Sequence, residues 1–295
     1  MTDEGIGLVV GGDSLVGSAL KTHCEQRGIA VDITSRRPKS AGLFLDLDHA
    51  DFAAIDRRRY AFAIVCAAVT DMRACQDDPD RSRRINVTHT LALLRRLAER
   101  GTHAVFLSSS QVFDGETPDP DEQAATCPKN EYGAQKLAVE QSIAAEGLPV
   151  AILRVTKVLA AEPVGVFKGW FEALSRGRPA QAATNMALSP VTVSDVADAA
   201  MRLAVGRHRG VWHLSARDAI GYYDAARLMA QKCGLPASLV QGEALSENQV
   251  PAIYRHRHVV LASDKIARTL GMPVRAAQEV LDGLFGRFPQ PAAMR

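Results

Sequence analysis

Gly5-Ile6-Gly7-Leu8-Val9-Val10-Gly11-Gly12-Asp13-Ser14-Leu15-Val16-Gly17 decides how the rest of the chain is read. A short apolar run leads into a glycine turn, and the turn leads into a helical pattern through Ala19, Leu20 and Cys24. That order predicts strand, tight turn and helix. Such a turn lets backbone N–H groups approach a pyrophosphate, whose charge the positive end of the helix favours. Gly11 and Gly17 fit the turn and the close helix packing, with Leu15 and Val16 between turn and helix. Ser14 stands where the middle glycine of a Gly-x-x-Gly-x-x-Gly loop would fall. Its hydroxyl is expected to reach a phosphate or its Cβ to crowd one. A glycine turn by itself also serves merely to join strand to helix.

The pattern continues outward from this segment. Further strands are predicted at residues 30–33, 43–45, 60–67, 104–107 and 150–155, and helices at 85–100 and 132–145. This alternation predicts an α/β fold, a Rossmann-type doubly wound parallel sheet. Beyond Arg154 the rhythm loosens: helices are expected near 166–174, 193–204, 222–233 and 277–285, with one strand at 210–214 and a Pro- and Ala-rich stretch at 178–190. The expected division is an NAD(P)-binding domain over 1–155, to which 190–215 returns. Residues 156–189 and 216–295 then form a smaller C-terminal substrate-binding lobe.

Composition narrows the classes. Of 295 residues 47% are hydrophobic and 23% charged, the profile of an ordinary globular protein. With 35 basic and 33 acidic residues the net charge is +2, too small to build the field that nucleic acid or an anionic membrane requires. Arg57-Arg58-Arg59 reads as a solvated helix end. No apolar run approaches the roughly 18 residues of a spanning helix. Met1-Thr2-Asp3-Glu4 is acidic where a signal peptide is basic, so a cytoplasmic location is expected. Cys24, Cys66, Cys75, Cys127 and Cys233 are odd in number and lack any Cys-x-x-Cys spacing, which indicates neither a disulfide framework nor a zinc site. His256 and His258 flank Arg257 with no third ligand at a useful spacing, and no metal is expected.

Three groups point to proton transfer beside a dinucleotide. Tyr132 and Lys136 lie four residues apart on a predicted helix, hence on one face, and Ser108-Ser109-Ser110 ends an apolar strand. A cation on the same face is expected to favour the phenolate and pull the tyrosine pKa below its ordinary value of about 10. The second strand runs into Thr34-Ser35-Arg36-Arg37, where an NAD-binding protein usually places an acid. Guanidiniums suit a 2′-phosphate, so NADP is favoured and NAD stays open. The bland alternative is a surface arginine pair.

These residues resemble the extended short-chain dehydrogenase/reductase family, in its dTDP-4-dehydrorhamnose reductase-like branch, over most of the chain. The likeness rests on Gly11 to Gly17, Asp46-Leu47-Asp48, Cys66-Ala67-Ala68, Ile85-Asn86-Val87, the run from Ser108 to Gly115, Tyr132 to Lys136, Leu153-Arg154, and the run from Pro190 to Ala197. The resemblance implies that Ser109, three residues before Val112, hydrogen-bonds the substrate oxygen, that Tyr132 donates a proton to it, and that Lys136 binds the nicotinamide ribose. It places Asp46 and Leu47 at the adenine and Ala67 and Ala68 along the cofactor, and it makes Asn86 a support for the active-site helix. The implied activity is NADPH-dependent reduction of a keto group on a nucleotide-linked 4-keto sugar, with a homodimer as an allowed assembly. A nucleotide-sugar epimerase and a non-catalytic NADP-binding regulatory subunit of the same branch are the alternatives.

The chain also departs from the branch. Ser110 and Gln111 replace an acid and a tyrosine, Lys157 replaces a tryptophan, and Ala182 to Pro190 replaces an Asp-Gln-x-Gly segment. These positions face substrate in the family, so they leave the sugar open. A dehydratase would need an acid pair beside the catalytic hydroxyl, which Ser110-Gln111 does not supply.

Overall fold

A computed structural model describes residues 5–38 and 42–289; the acidic start at residues 1–4 lies outside the described residues. Two compact units emerge. The first holds the chain up to Asp114 together with 124–155 and 193–213; the second holds 115–123, 156–192 and the chain from Leu214 onward.

The first unit is built on a seven-stranded sheet. Its strands are β1 (Gly7–Val10), β2 (Val31–Ser35), β3 (Leu43–Phe44), β4 (Phe62–Val65), β5 (His103–Ser109) and β6 (Val150–Val155), with Gly210–Leu214 at one edge. The spatial order is Gly210–Leu214, β6, β5, β4, β1, β2, β3, and every pairing from β6 to β3 is parallel. All residues of β1, β4, β5 and β6 are buried, which is why these strands read as continuous apolar runs rather than alternating ones. Helices α1 (Leu15–Arg27), α2 (Thr90–Glu99), α3 (Glu131–Ala145) and α4 (Val193–Val205) wrap the sheet. Leu91, Leu94 and Leu97 of α2 and Val139 and Ile143 of α3 share a core with Leu8, Val10, Ala63, Val65 and Phe106. Elsewhere α1 meets α4, where Cys24 Sγ lies 3.8 Å from Met201 Sδ.

This strand order creates the site. The chain runs outward from β1 in both directions, so the carboxyl ends of β1 and β4 flank a topological switch point, where doubly wound sheets hold their ligands. Two boundaries differ from expectation. The helix expected over 85–100 opens with a π turn, Arg84–His89, before α2 begins. The fifth strand runs on to Ser109, because Ser108 and Ser109 stay in register with Arg154 and Val155 of β6.

A buried ion pair ties three elements of this unit. Arg154 on β6 donates to Glu140 on α3 through Nε, 3.1 Å, and Nη2, 2.6 Å, and both side chains are nearly inaccessible. Ser108 Oγ on β5 also donates to Glu140, and Arg154 Nη1 reaches His213 Nε2 at 3.3 Å. The guanidinium stacks over Phe113, 5.0 Å from its ring centre.

Among the described residues the second unit contains three short strand pairs. Lys157–Leu159 runs parallel to Pro190–Thr192, Ala180–Ala183 runs parallel to Val240–Glu243, and Ala187–Leu188 runs antiparallel to Ile220–Gly221. Its core gathers Phe167, Trp170, Leu174, Met229, Leu284 and Phe285. No helix among the described residues is long and apolar enough to cross a membrane.

Two stability predictions follow from the first unit. Glu140→Gln or Arg154→Met alone leaves a buried charge without its partner and should cost about 3–5 kcal/mol, while Glu140→Leu with Arg154→Met should cost less than the sum; urea unfolding followed by circular dichroism measures both. Burial, with Arg207 and Arg209 adding repulsion, holds the His103 imidazole down to about 4. Its folded value lies below its unfolded one, so its contribution is complete above about 6.5 and is lost as pH falls toward 4. His103→Phe should flatten that part of the stability curve.

Candidate active site

The glycine turn sits so close to its neighbours that side chains are excluded. Gly11 adopts φ +90°, and a Cβ there would lie 2.7 Å from the Ala67 nitrogen; a Cβ on Gly17 would lie 2.2 Å from the Gly11 carbonyl oxygen. The Cys66 and Ala67 N–H groups both donate to the Val10 carbonyl, which brings the loop after β4 alongside the turn. Ser14 is the N-cap of α1: its Oγ accepts from Gly17 N at 3.0 Å and donates to the Gly11 carbonyl at 2.7 Å. A hydroxyl has one proton, and here the loop itself takes it. In this arrangement Ser14 closes the turn. Helix geometry leaves the N–H groups of Leu15 and Val16 without intrahelical partners, which suits them to an anion.

Where β5 ends, Ser109 is buried and accepts from Gln111 N at 3.2 Å, and its side chain lies near enough to Tyr132 to favour the phenolate against burial. Lys136 Nζ donates to the Leu107 carbonyl at 2.8 Å and lies 4.6 Å from the Phe106 ring centre and 5.7 Å from that of Tyr132. Burial dominates both ionisations. It pushes the Tyr132 hydroxyl up to about 12, a rise that Ser109 only partly offsets, and it pulls the Lys136 ammonium down to about 8 against the fields of Cys66 and Glu140. The expected depression of the tyrosine is thus reversed, because desolvation of the buried phenolate dominates and Ser109 offsets only part of it. At neutral pH Tyr132 holds its proton, as a donor must.

Neutral hydrogen bonds position these groups. Asn86, in the π turn, accepts from Val69 N at 2.7 Å and donates to the Val69 carbonyl at 2.9 Å, clasping the loop that carries Ala67 and Ala68. Its amide also donates to Gln135 Oε1 at 2.7 Å, on the helix that bears Tyr132. Gln135 in turn donates to Ser82 Oγ at 2.8 Å. At the start of α3, Asn130 caps Gly133 N and donates to Gln111 Oε1, while a Cβ on Gly133 would lie 2.0 Å from the Gln111 carbonyl. One side of the Gln111 amide is accordingly committed to the helix start.

The remaining predicted residues are placed as follows. Arg36 and Arg37 are exposed directly after β2. Asp46 Oδ1 accepts from Asp48 N, and the Leu47 carbonyl meets His89 Nδ1 at 2.5 Å. Asp48 is paired with Arg81 and Arg84, which hold its carboxyl below the usual range. Ser110 begins a 3-10 turn after β5, and Lys157 is exposed on a strand of the second unit. Sequence reasoning missed Asn130, Gln135 and Asp13. Asn130 carried a usable signal, an Asn just before a helical pattern; Gln135 and Asp13 act through contacts distant in sequence.

The fold and this clustering define the class, an NAD(P)-dependent oxidoreductase of the extended short-chain dehydrogenase/reductase type. More particularly, the chain belongs to the family described as RmlD substrate binding domain, which it matches over residues 7–288. It is 26% identical to methionine adenosyltransferase 2 subunit beta of Pongo abelii, covering 91% of this chain and 83% of that protein. It is 25% identical to a probable low-salt glycan biosynthesis reductase of Haloferax volcanii, covering 95% and 97%. With dTDP-4-dehydrorhamnose reductase of Mycobacterium tuberculosis it shares 28% identity over 70% of each chain. Among solved structures, dTDP-4-dehydrorhamnose reductase of Bacillus anthracis in complex with NADP superposes with a TM-score of 0.82 at 19% identity, covering 95% of this chain and 98% of that one. MoeE5 in complex with UDP-glucose and NAD gives 0.79 at 25% identity, covering 96% and 98%.

The double role of Ser14 predicts a graded response. Ser14→Ala should lower stability by about 1 kcal/mol through loss of the cap, whereas Ser14→Gly should cost only a few tenths, measured by chemical denaturation.

Proposed function

We propose that this protein is an NADPH-dependent reductase that acts on a keto group of a nucleotide-linked sugar, the 4-keto position being favoured by its reductase relatives. The observation that carries the reading is the placement of Tyr132 one helical turn from Lys136, whose Nζ lies 5.7 Å from the tyrosine ring centre, together with the buried Ser109 hydroxyl at the end of β5. The glycine cradle fits a dinucleotide: Gly11 and Gly17 admit no side chain, and two first-turn N–H groups stand ready for the pyrophosphate. Gly11, Ser14, Leu15, Val16 and Gly17 would frame it, with Arg36 and Arg37 at the 2′-phosphate, Asp46 and Leu47 at the adenine, Ala67 and Ala68 along its length, and Lys136 on the ribose. When bound, NADPH supplies a hydride to the carbonyl carbon.

The protein's own groups handle the oxygen. Ser109 holds the carbonyl oxygen by a hydrogen bond, Tyr132 transfers its proton to that oxygen, and the Lys136 ammonium stabilises the phenolate left behind until solvent returns a proton. Asn86 and Gln135 keep the cofactor loop and the helix in register. Within the first unit Ser110 and Gln111 are the proposed substrate contacts, and their departure from the branch leaves the sugar to be identified.

The test is NADPH oxidation at 340 nm with a panel of dTDP- and UDP-linked 4-keto sugars. The wild type should turn over at least one, and Tyr132→Phe should lose on the order of 10²–10⁴ in rate while still binding NADPH by fluorescence. NADPH binding without oxidation of any keto sugar would instead favour a regulatory subunit, a reading that takes its support from the methionine adenosyltransferase relatives. With Lys136 titrating near 8 in the free protein, kcat/KM should decline above about pH 8 as the ammonium is lost.

A further inference from the structure

The glycine turn brings one charged group to a place the sequence reading leaves to arginines. Gly12 N donates to the Thr34 carbonyl at 2.8 Å and Gly11 N to Thr34 Oγ1 at 3.0 Å, zipping the turn to the end of β2. The approach is possible because Gly12 has no side chain: a Cβ there would lie 2.1 Å from Ile33 Cγ2. The next residue, Asp13, is thereby carried to the tip of β2. Ser35 Oγ donates to Asp13 Oδ2, Ser35 Oγ accepts from Arg37 N at 2.9 Å, and Arg37 Nε lies 4.0 Å from the same carboxylate oxygen. The Asp13 side chain keeps 32% of its surface exposed.

In a doubly wound fold the end of the second strand reads the 2′ position of the adenosine ribose: a carboxylate there accepts from a 2′-hydroxyl, and a guanidinium there binds a 2′-phosphate. This chain places both within one hydrogen-bonded cluster, the carboxylate arriving from the turn instead of from β2. We propose that Asp13 is a cofactor-selecting residue that works against the 2′-phosphate and for the 2′-hydroxyl, so that NADPH and NADH are both usable. The inference rests on the dinucleotide-binding reading above. Two effects act together. The carboxylate offsets the field of Arg37, which would otherwise be committed to the phosphate, and it repels the phosphate directly at short range. A bound 2′-hydroxyl meets neither penalty and gains an acceptor.

Fluorescence titration with NADPH and with NADH, on the wild type, Asp13→Asn, Asp13→Ala and Arg37→Ala, tests this. Both Asp13 variants should raise the ratio of NADPH to NADH affinity roughly tenfold, and Arg37→Ala should lower it. The NADPH gain should shrink as salt rises, since the exposed charges are screened. An unchanged or lowered ratio in both Asp13 variants, with both dinucleotides still bound, overturns this proposal and leaves the reductase reading standing. Failure of the wild type to bind either dinucleotide overturns both.

Discussion

Backbone meets backbone at the carboxyl end of β1, and the rest of the first unit is arranged around that contact. Gly11 touches the loop after β4, Gly12 touches β2, and Gly17 touches Gly11 itself, in each case at a separation no Cβ allows. The parallel sheet aligns the three strand ends, and the missing side chains let them close up. Ser14 then replaces a glycine without opening the turn, because its hydroxyl bonds within the turn on both sides. The result is a tight peptide surface from which the first-turn N–H groups of α1 emerge.

Burial sets the acid–base character of Tyr132 and Lys136. Tyr132 and Lys136 share a helix face, yet their shifts run in opposite directions because desolvation penalises whichever form is charged: the phenolate in one case, the ammonium in the other. The pair is thereby biased toward two neutral species, and the cost is met by specific contacts. The Leu107 carbonyl and the Phe106 ring keep the ammonium in place, while Ser109 eases the tyrosine. Deeper in, Glu140 accepts from Ser108, next to Ser109, and from Arg154, so the strand end that bears Ser109 is itself anchored by charge.

Much of this was legible in the chain. Segments 150–155 and 210–214 were readable to the residue because they are short apolar runs bounded by polar turns, and the glycine turn announced itself by composition. The π turn at Arg84–His89 went unread, although an unbroken α-helix would put Ile85 and Leu94 on opposite faces while both belong to the core, which the extra residue of the π turn allows. The strands at Ala180–Ala183 and Ala187–Leu188 were invisible in an alanine-rich stretch whose partners lie some distance along the chain, at Val240–Glu243 and Ile220–Gly221. At the site, spacing disclosed Tyr132 and Lys136 but not their ionisation, because desolvation belongs to the folded surroundings. Asp13 stood in plain view beside the turn, but its partners Ser35 and Arg37 become neighbours only when β2 pairs with β1.

The clasp made by Asn86 has a further meaning. It joins the loop after β4 to α3 through amides alone, the Val69 peptide on one side and Gln135 on the other. No member of that chain of contacts gains or loses a charge over the ordinary pH range, and salt has little grip on it. The rim of this unit, by contrast, is laced with exposed arginine–carboxylate pairs such as Arg84–Asp48 and Arg95–Glu146, which loosen as ionic strength rises. The spacing between the loop after β4 and Tyr132 is therefore fixed by contacts indifferent to the medium, while the outer surface is free to respond to it.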